Sequence, residues 1–588
     1  MRPPDPTTET DDGPAAPASG ARSQRAFPLA WLIAAGVALL LTVFAWRTAP
    51  WWTLDAANGG QRNLWVARIA LFVVATALLR GFALVAPRLT RAHWILLGAN
   101  AAWWLGWWLL NWPAMPMSDT GRTLFEARSG VVSQWFSWPY SLANIALTDV
   151  WPRASLIGAL QALLMAGVMT YAADVMRRRS GGAWWPGVAT CVVVAVLPAT
   201  LATTVLLSRD QWFGVAHVLL ALLVYDAMTL RTSDRRAWGI SIALLACVLS
   251  VLRGDGIVLL FVPLVVGVIA YRRGRRQLAK ATAVSLLAGI VLLFAVGPRA
   301  VDQLDEVRRY ELSLRISPLA ELLARDLHSR EREIPPAERV SGDVYTETIV
   351  TEDRARAFND LRRVIVPERV AQEWSSIDIP AFWYQAWSNE GLADDASWRR
   401  FKSAADQLLL DNAVAVIAQR VRTFGAAAGV APFGFRPTPQ ALPAGATKDV
   451  RYPSVCPVGC PAITAMPPLP GPMRTIAPKL EATTRYDGVQ LSGSFLWWNA
   501  IPAFLLLILV LFIRGPLGPE AGFAAILLLR TPLVFLAAPA AQFKYYYSVY
   551  LGGIIMLGLV IAAAIAWRRS RRVAPSDSAA SEPASAIA

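Results

Sequence analysis

Three carboxylates lie in short polar segments between long apolar runs, and each has an arginine close by in the chain. These pairs are Asp119 with Arg122, Asp210 with Arg209, and Asp255 with Arg253. A carboxylate can act as general base toward a sugar hydroxyl, and an arginine can hold a phosphate through paired hydrogen bonds. The pattern therefore favours transfer of a group from a phosphate-bearing lipid to an acceptor at the membrane face.

Two further cations stand in the C-terminal part of the chain. Arg530 lies about eight residues inside an apolar run, where a charge is costly unless it faces a cavity or an anion. Lys544 stands among aromatic residues at the end of another run. The predicted phosphate- and carrier-binding set is Arg253, Arg530, Lys544, Arg122 and Arg209. The predicted supporting residues are Asp255, Trp138 and Tyr545.

Each segment also has a purely structural interpretation. Ser-Asp-Thr around Asp119 suits a solvated loop or a helix N-cap. Asp210 would form an ion pair with Arg209, which lowers the cost of a carboxylate close to hydrocarbon. The glycines beside Asp255 suit a hairpin turn, and the tyrosines after Lys544 suit an anchor at the membrane interface.

The elements that position these residues follow from composition. The chain has 588 residues, of which 55% are hydrophobic and 16% charged, with a mean hydropathy of +0.41. A soluble domain needs more polar surface than this, and the apolar runs have the length of roughly 17–25 residues that crosses a bilayer. We predict an all-α polytopic membrane protein with about twelve transmembrane helices. The spans are 27–46, 64–87, 94–112, 154–175, 184–206, 212–230, 237–252, 256–271, 281–298, 495–513, 521–538 and 547–567.

Basic residues give the orientation. Arginines follow the second, fourth, sixth, eighth and last runs, so all of these loops face the cytoplasm if both termini do. Five regions result: a disordered cytoplasmic N-terminus at 1–26; a transmembrane module at 27–298 with a first external loop at 113–153; a mixed, mainly helical external domain at 299–494; C-terminal transmembrane helices at 495–567; and a disordered cytoplasmic tail at 568–588. Aromatic residues 134–140 would lie along the membrane surface and hold Asp119 near the lipid headgroups.

Several classes of protein are disfavoured. The chain has no Walker loop, no dinucleotide fingerprint and only three histidines, which argues against an ATP-driven pump and a His-rich metalloenzyme. The formal charge of +15 lies largely in short loops, where retention of positive charge in the cytoplasm explains it, so we expect no nucleic-acid partner. Cys191 and Cys247 suit core positions. Cys456 and Cys460 are too few for a structural zinc site and suit a local disulfide in an oxidising compartment.

Four motifs resemble the GT-C superfamily of membrane glycosyltransferases, which use polyprenyl-phosphate-linked sugars. Asp119 and the aromatic segment ending in Trp138-Pro139 are similar to the first external loop, which carries an essential acid in that superfamily. Ser208-Arg209-Asp210 is similar to a second acidic position at a short external turn. Arg253-Gly254-Asp255-Gly256 resembles an Arg-x-Asn-Gly turn of a poorly characterised bacterial branch, with Asp255 in place of Asn, and Lys544-Tyr545 resembles its Arg-Tyr. That branch often has His-Pro where this chain has Trp138-Pro139, and Lys where it has Arg209.

The resemblance implies an inverting transfer of a hexose or pentose at the external face of a bacterial cytoplasmic membrane. Asp119 would deprotonate the acceptor hydroxyl, Asp210 would orient Asp119, the acceptor or a cation, and Arg253, Arg530 and Lys544 would stabilise the leaving lipid phosphate. The partners implied are membrane lipids, a polyprenyl-phosphate sugar donor, and a glycan, lipid or protein acceptor of the cell envelope. Some relatives need a divalent cation and others do not, so Mg²⁺ or Mn²⁺ stays open. Three alternatives remain: a secondary transporter or lipid flippase, a polysaccharide polymerase or ligase using lipid-linked donors, and a non-catalytic structural role.

Overall fold

The computed structural model is helical over 88% of the residues it describes and has no strand among them. The residues described are 35–40, 59–86, 89–111, 114, 123–124, 126–127, 129–132, 137–151, 155–229, 235–300, 304–333, 359–366, 370, 389–430, 498–513, 517–538 and 542–573.

Two sets of helices make up this part of the chain. The helices at the positions of the apolar runs, with the one in the first loop, are α1 Gly60–Val85, α2 Arg91–Leu110, α3 Trp138–Val150, α4 Ser155–Arg179, α5 Trp185–Val196, α6 Pro198–Thr204, α7 Arg209–Thr229, α8 Arg235–Leu252, α9 Phe261–Arg272, α10 Arg276–Ala300, α15 Ile501–Phe512, α16 Gly518–Leu528, α17 Thr531–Ala537 and α18 Tyr547–Val573. The region between α10 and α15 contains α11 Leu304–Glu333, α12 Asn389–Ala393, α13 Asp395–Asp411 and α14 Ala413–Ala427. Short 3₁₀ turns, Gly254–Leu260 and Phe543–Tyr546, precede α9 and α18.

The chain is a multi-pass membrane protein. Seven of the described helical segments are long and apolar enough to cross a bilayer, or eight if α5 and α6, bent by 74°, form one span. A helix occupies each of the eleven predicted spans from 64–87 onward. However, α8 and α15 are shorter apolar helices, α2 is not among the seven, and the predicted span 27–46 lies outside the described residues except for 35–40.

The centre of the bundle consists of α4, α7 and α18, each with most of its apolar span buried inside the protein. By contrast, α1 and α10 bury only about a quarter of theirs and form the periphery. Lys544, just before α18, contacts Asp210 in the first turn of α7, and Tyr547 lies against Gly214, so α7 and α18 begin at the same end of the bundle.

The helices α11 to α14 pack together as a second unit, in which α11, α12 and α13 share a core of their own. The buried Ala426 and Ala427 of α14 belong to the core of the bundle. Leu312, Ile316 and Leu319 of α11 pack with Phe401 of α13, and Trp398 stacks on Phe401 at 5.5 Å between ring centroids. Asp394 accepts a hydrogen bond from the Ser397 amide at the start of α13, and the hydrogen bonds from Ser397 hold the pKa of the Asp394 carboxyl below its usual value. The described part of 299–494 is therefore helical where helical periodicity predicts it, whereas 431–497 lies outside the described residues.

Candidate functional site

The helix α7 defines two ends of the bundle. Asp210 lies in its first turn and Asp226 in its last, and sixteen residues of helix correspond to about 24 Å. We call the end that holds Asp210 the Lys544 end, and the end that holds Asp226 the Arg178 end.

Asp210 is positioned by the start of α7. The Ser208 hydroxyl donates to Asp210 Oδ2 and accepts from the Asp210 amide, both at 3.1 Å. A serine that satisfies a free amide in this way favours the start of a helix, and a carboxylate in the first turn is stabilised by the helix dipole. The local sequence therefore helps to set the position of this carboxylate.

Arg253 and Asp255 are held by a tight turn between α8 and α9. The Gly256 amide donates to the Arg253 carbonyl at 2.9 Å, and the 3₁₀ turn continues to Leu260. A Cβ on Gly256 would lie 2.2 Å from the Leu249 carbonyl oxygen, so only glycine fits this close approach. The turn brings the Arg253 Nε within 2.8 Å of Asp255 Oδ1.

Arg530 stands at a break in the eleventh predicted span. The helix α16 ends at Leu528, and α17 starts at Thr531 with Pro532 in its first turn. Proline has no amide proton and ends or kinks a continuing helix, so the break falls just before it. The Arg530 side chain turns into the protein, where it is 3% exposed.

Five charged side chains meet here, and we call them the Lys544-end cluster: Asp210, Arg253, Asp255, Arg530 and Lys544. Arg530 donates from Nη2 and Nε to Asp255 Oδ2 at 2.5 and 3.1 Å. Arg253 contacts both carboxylates, through Nε to Asp255 and through Nη1 to Asp210. Lys544 Nζ lies 3.2 Å from Asp210 Oδ2.

The cluster has three cations and two carboxylates, and all five side chains are about nine-tenths buried or more. Charges removed from water interact more strongly than exposed ones, because the surroundings screen them less. Arg253 joins the two carboxylates into one network, so a change at either carboxylate affects the other.

Aromatic rings cover the arginines. Phe213 lies 4.5 Å from the Arg530 guanidinium and 5.7 Å from that of Arg253, measured to the ring centroid. Tyr545 lies 5.0 Å from the Arg253 guanidinium and 5.9 Å from Lys544 Nζ. Such contacts stabilise a cation and keep water from it.

One polar group beside the cluster, the hydroxyl of Tyr546, has no hydrogen-bond partner in the part of the chain that the structure describes. The side chain is buried, at 1% exposure. Because buried polar atoms are nearly always hydrogen-bonded, this hydroxyl suits contact with a bound hydroxyl or water.

The other predicted site residues lie away from the Lys544-end cluster or outside the residues that the structure describes. Asp119, Arg122, Cys456 and Cys460 lie outside the described residues. Arg209 begins α7, but the cations at Asp210 are Arg253 and Lys544, since neighbouring residues in a helix point in different directions.

Trp138 begins α3 and packs against a small apolar cluster that includes Leu64 of α1. Arg68 of α1 secures α3 further, with Nε 2.8 Å from Asp149 Oδ2 and Nη2 3.1 Å from Asp149 Oδ1. Trp138 therefore belongs to the packing of the first loop against α1.

The Arg178 end holds a second ionic network that sequence reasoning missed. Arg178 contacts both Asp226 oxygens at 2.6 and 2.8 Å and also reaches Asp174, while Arg179 contacts Glu520 at 2.8 Å. The arginines alone suggest retained cytoplasmic charge. The signal for pairing is the spacing of Asp174, three and four residues before Arg177 and Arg178, which places them on one helix face.

Among the described residues, no group of three or more His, Cys, Asp or Glu side chains is arranged to hold a metal ion. In comparisons with protein-family models, curated proteins and solved structures, nothing matches this chain, so the likeness to GT-C enzymes rests on the four motifs alone.

Proposed function

We propose that the protein is an inverting glycosyltransferase that moves a sugar from a polyprenyl-phosphate carrier to an acceptor at the Lys544 end of the membrane. The observation that carries the proposal is the Lys544-end cluster, in which Arg253 and Lys544 both contact Asp210 and Arg253 also contacts Asp255. Such a cluster combines carboxylates with cations suited to a phosphate at a bundle end, where a lipid headgroup lies.

Arg253 and Lys544, which contact carboxylates in the structure, are also side chains suited to binding a phosphate. Arginine binds a phosphate through two parallel hydrogen bonds, and lysine contributes a compact charge. Arg253 and Lys544 approach Asp210 from different chain segments, so a phosphate arriving between them would share both cations with the carboxylate. Arg530, whose guanidinium is directed at Asp255, would act by holding that carboxylate in place.

In the proposed reaction the acceptor hydroxyl attacks the anomeric carbon while the bond from that carbon to the phosphate oxygen breaks. The hydroxyl proton passes to Asp119, and the electron pair of the broken bond stays on the lipid phosphate. Arg253 and Lys544 stabilise the charge that develops on this phosphate, a purely electrostatic contribution. Asp210 orients the two cations, and the Tyr546 hydroxyl supplies a hydrogen bond to a sugar hydroxyl.

The proposal includes a topology. Twelve crossings with both termini in the cytoplasm of a bacterium would place the Lys544 end on the external side of the cytoplasmic membrane. The arginines of the Arg178 end would then face the cytoplasm, as the distribution of basic loops favours. The α11–α14 unit would be external, as would the cell-envelope acceptor.

Lipid binding tests the proposal without knowledge of the sugar. Polyprenyl phosphate and the matching polyprenyl alcohol would be titrated into the purified protein and bound lipid counted by native mass spectrometry. We expect the phosphate to bind at least about tenfold more tightly than the alcohol, and Lys544→Gln to remove most of this difference. Lys402→Gln is the control, because Lys402 lies on α13 and contacts Glu311 away from the cluster. Equal binding of alcohol and phosphate would contradict the proposal.

A second candidate is a transporter or lipid flippase, and one observation favours it. Buried ionic networks close both ends of α7, through Asp210 at one end and Asp226 at the other, which suits two alternating gates. Flux of a fluorescent polyprenyl-phosphate analogue across proteoliposomes separates the candidates. Transport predicts flux that Asp226→Asn changes, whereas the transferase predicts no flux above that of empty liposomes.

A further inference from the structure

Part of the helix α14 has its polarity reversed. Three of its polar residues, Gln419, Arg420 and Thr423, are buried at 2–3% exposure, whereas Arg422 is partly exposed and pairs with Glu321 of α11. Its aliphatic residues Val414, Ile417 and Val421 are exposed, at 84%, 55% and 54%. A helix on a water-covered surface normally has the opposite arrangement.

The buried polar face is hydrogen-bonded to the rest of the protein through the Gln419 amide nitrogen and the Arg420 guanidinium. Gln419 Nε2 donates to Ser317 Oγ at 2.9 Å and to Thr423 Oγ1 at 2.8 Å. Arg420 donates to the Ala538 carbonyl at 2.6 Å and to the Leu314 carbonyl at 3.1 Å. These contacts fix the rotation of α14 about its axis, so the aliphatic face cannot turn inward.

The exposed side chains form one continuous stripe. Residues 414, 417 and 421 are spaced by three and four, which places them on one face of a helix. Leu410, at the end of α13, extends the stripe and is 75% exposed. Single exposed aliphatic residues are ordinary on a protein surface, but four that are more than half exposed in a row indicate a contact surface.

The position of α14 indicates what its exposed aliphatic face contacts. The helix packs against α17 and against the 3₁₀ turn that contains Lys544. Its Phe424 ring lies 5.4 Å from Phe504 and 5.3 Å from Tyr546, so α14 meets the ends of the spans. Leu505 and Leu536 on those neighbouring spans are themselves 62% and 60% exposed. The helix that carries the stripe is thus held against spans whose own outer side chains are apolar and exposed.

We propose that α14 is immersed in the bilayer interface at the Lys544 end, with Leu410, Val414, Ile417 and Val421 in contact with lipid acyl chains. The α11–α14 unit is thereby held at a fixed height over the Lys544-end cluster by lipid as well as by protein. This inference does not depend on the glycosyl-transfer proposal, because it uses only the polarity and position of α14.

Carbene labelling of the wild-type protein tests it. The full chain would be reconstituted with a phospholipid that carries a photoactivatable diazirine on its acyl chain, irradiated, digested and mapped by mass spectrometry. We expect adducts on α14 at a yield within about threefold of those on α15. The peptide around the exposed Ser403 of α13 provides the background yield, which should be at least several-fold lower.

A double variant, Val414→Glu with Ile417→Glu, keeps the buried polar face intact and should lower the α14 adducts to that background. Labelling of Leu505 in the same sample should not change. Adducts on α14 at the Ser403 background in the wild-type protein would overturn the inference, whether water or another part of the chain covers the stripe.

Discussion

Arg530 and Asp255, separated by 275 residues in the chain, form a buried ion pair in which two guanidinium nitrogens reach the same carboxylate oxygen. The other Asp255 oxygen accepts from Arg253 Nε at 2.8 Å. Arg530 thus orients Asp255, and Asp255 orients Arg253 toward Asp210. This chain of contacts joins the break between α16 and α17 to the turn before α9 and to the start of α7.

Asp255→Asn should destabilise the protein strongly. The substitution keeps the shape of the side chain but leaves Arg530 buried without its counter-charge, and breaking a buried pair in this way typically costs about 3–5 kcal/mol. Thermal unfolding in detergent measures the effect, with Asp411→Asn on the exposed end of α13 as control. The double variant with Arg530→Gln should recover part of the loss. An unchanged unfolding temperature for Asp255→Asn would show that the pair does not stabilise the fold.

Arg253→Lys should remove most of the polyprenyl-phosphate binding, whereas the protein should still fold. A lysine keeps the positive charge but presents a single nitrogen, so it cannot contact Asp210 and Asp255 together as the arginine does. We expect polyprenyl-phosphate binding to fall by about tenfold or more, equivalent to about 1.4 kcal/mol. Arg399→Lys on the exposed face of α13 is the matched control. Wild-type binding in Arg253→Lys would mean that charge alone matters at this position.

Gly256→Ala should disrupt the turn that carries Arg253 and Asp255. The added Cβ would lie 2.2 Å from the Leu249 carbonyl oxygen and 3.0 Å from Phe213 Cε2, and both neighbours belong to packed helices. Overpacking of this kind costs about 1–3 kcal/mol or more. Gly267→Ala in α9 is the control, because nothing lies within 4 Å of a Cβ there. Equal unfolding temperatures for the two variants would contradict the close approach of Gly256 to the Leu249 carbonyl.

Glu520→Gln at the Arg178 end should lower the stability of the protein. The proposed sugar transfer by the molecules that remain folded should not change. Glu520 is fully buried and accepts from Arg179 and from the Tyr225 hydroxyl, both at 2.8 Å. The neutral amide weakens both contacts, so the unfolding temperature should fall. Sugar transfer per folded molecule should stay within about twofold, since this network lies at the end remote from the Lys544-end cluster. A selective loss of sugar transfer would instead show that the two ends of the bundle are coupled, as the alternating gates of a transporter would be.

The sequence predicts where helices occur better than it predicts which charged residues on different helices pair with one another. Apolar runs predict α1, α4, α7 and α18 because a bilayer requires about twenty apolar residues for each crossing. The expectation that Arg530 faces a cavity or an anion follows from the cost of a charge in lipid. That the anion is Asp255 does not follow, because packing of distant helices decides which segments meet.

Two further features illustrate the same limit. Periodicity predicts helices within 398–421, but it cannot indicate that the apolar face of α14 is turned outward, since a pattern defines faces and not their surroundings. Likewise Asp226 and Glu520 stand at the ends of apolar runs, where polar residues are expected, so their burial against arginines becomes visible only in the folded bundle.

Sugar transfer by the reconstituted protein is the direct test of the proposed glycosyltransferase activity. Proteoliposomes would be supplied with a panel of polyprenyl-phosphate hexoses and pentoses labelled in the sugar, together with a cell-envelope extract as acceptor. We expect transfer with inversion at the anomeric carbon, a loss of at least about 10²-fold in Asp119→Asn and in Asp210→Asn, and wild-type rates in Asp411→Asn. Transfer at the wild-type rate by Asp119→Asn, or a product with retained anomeric configuration, would contradict it.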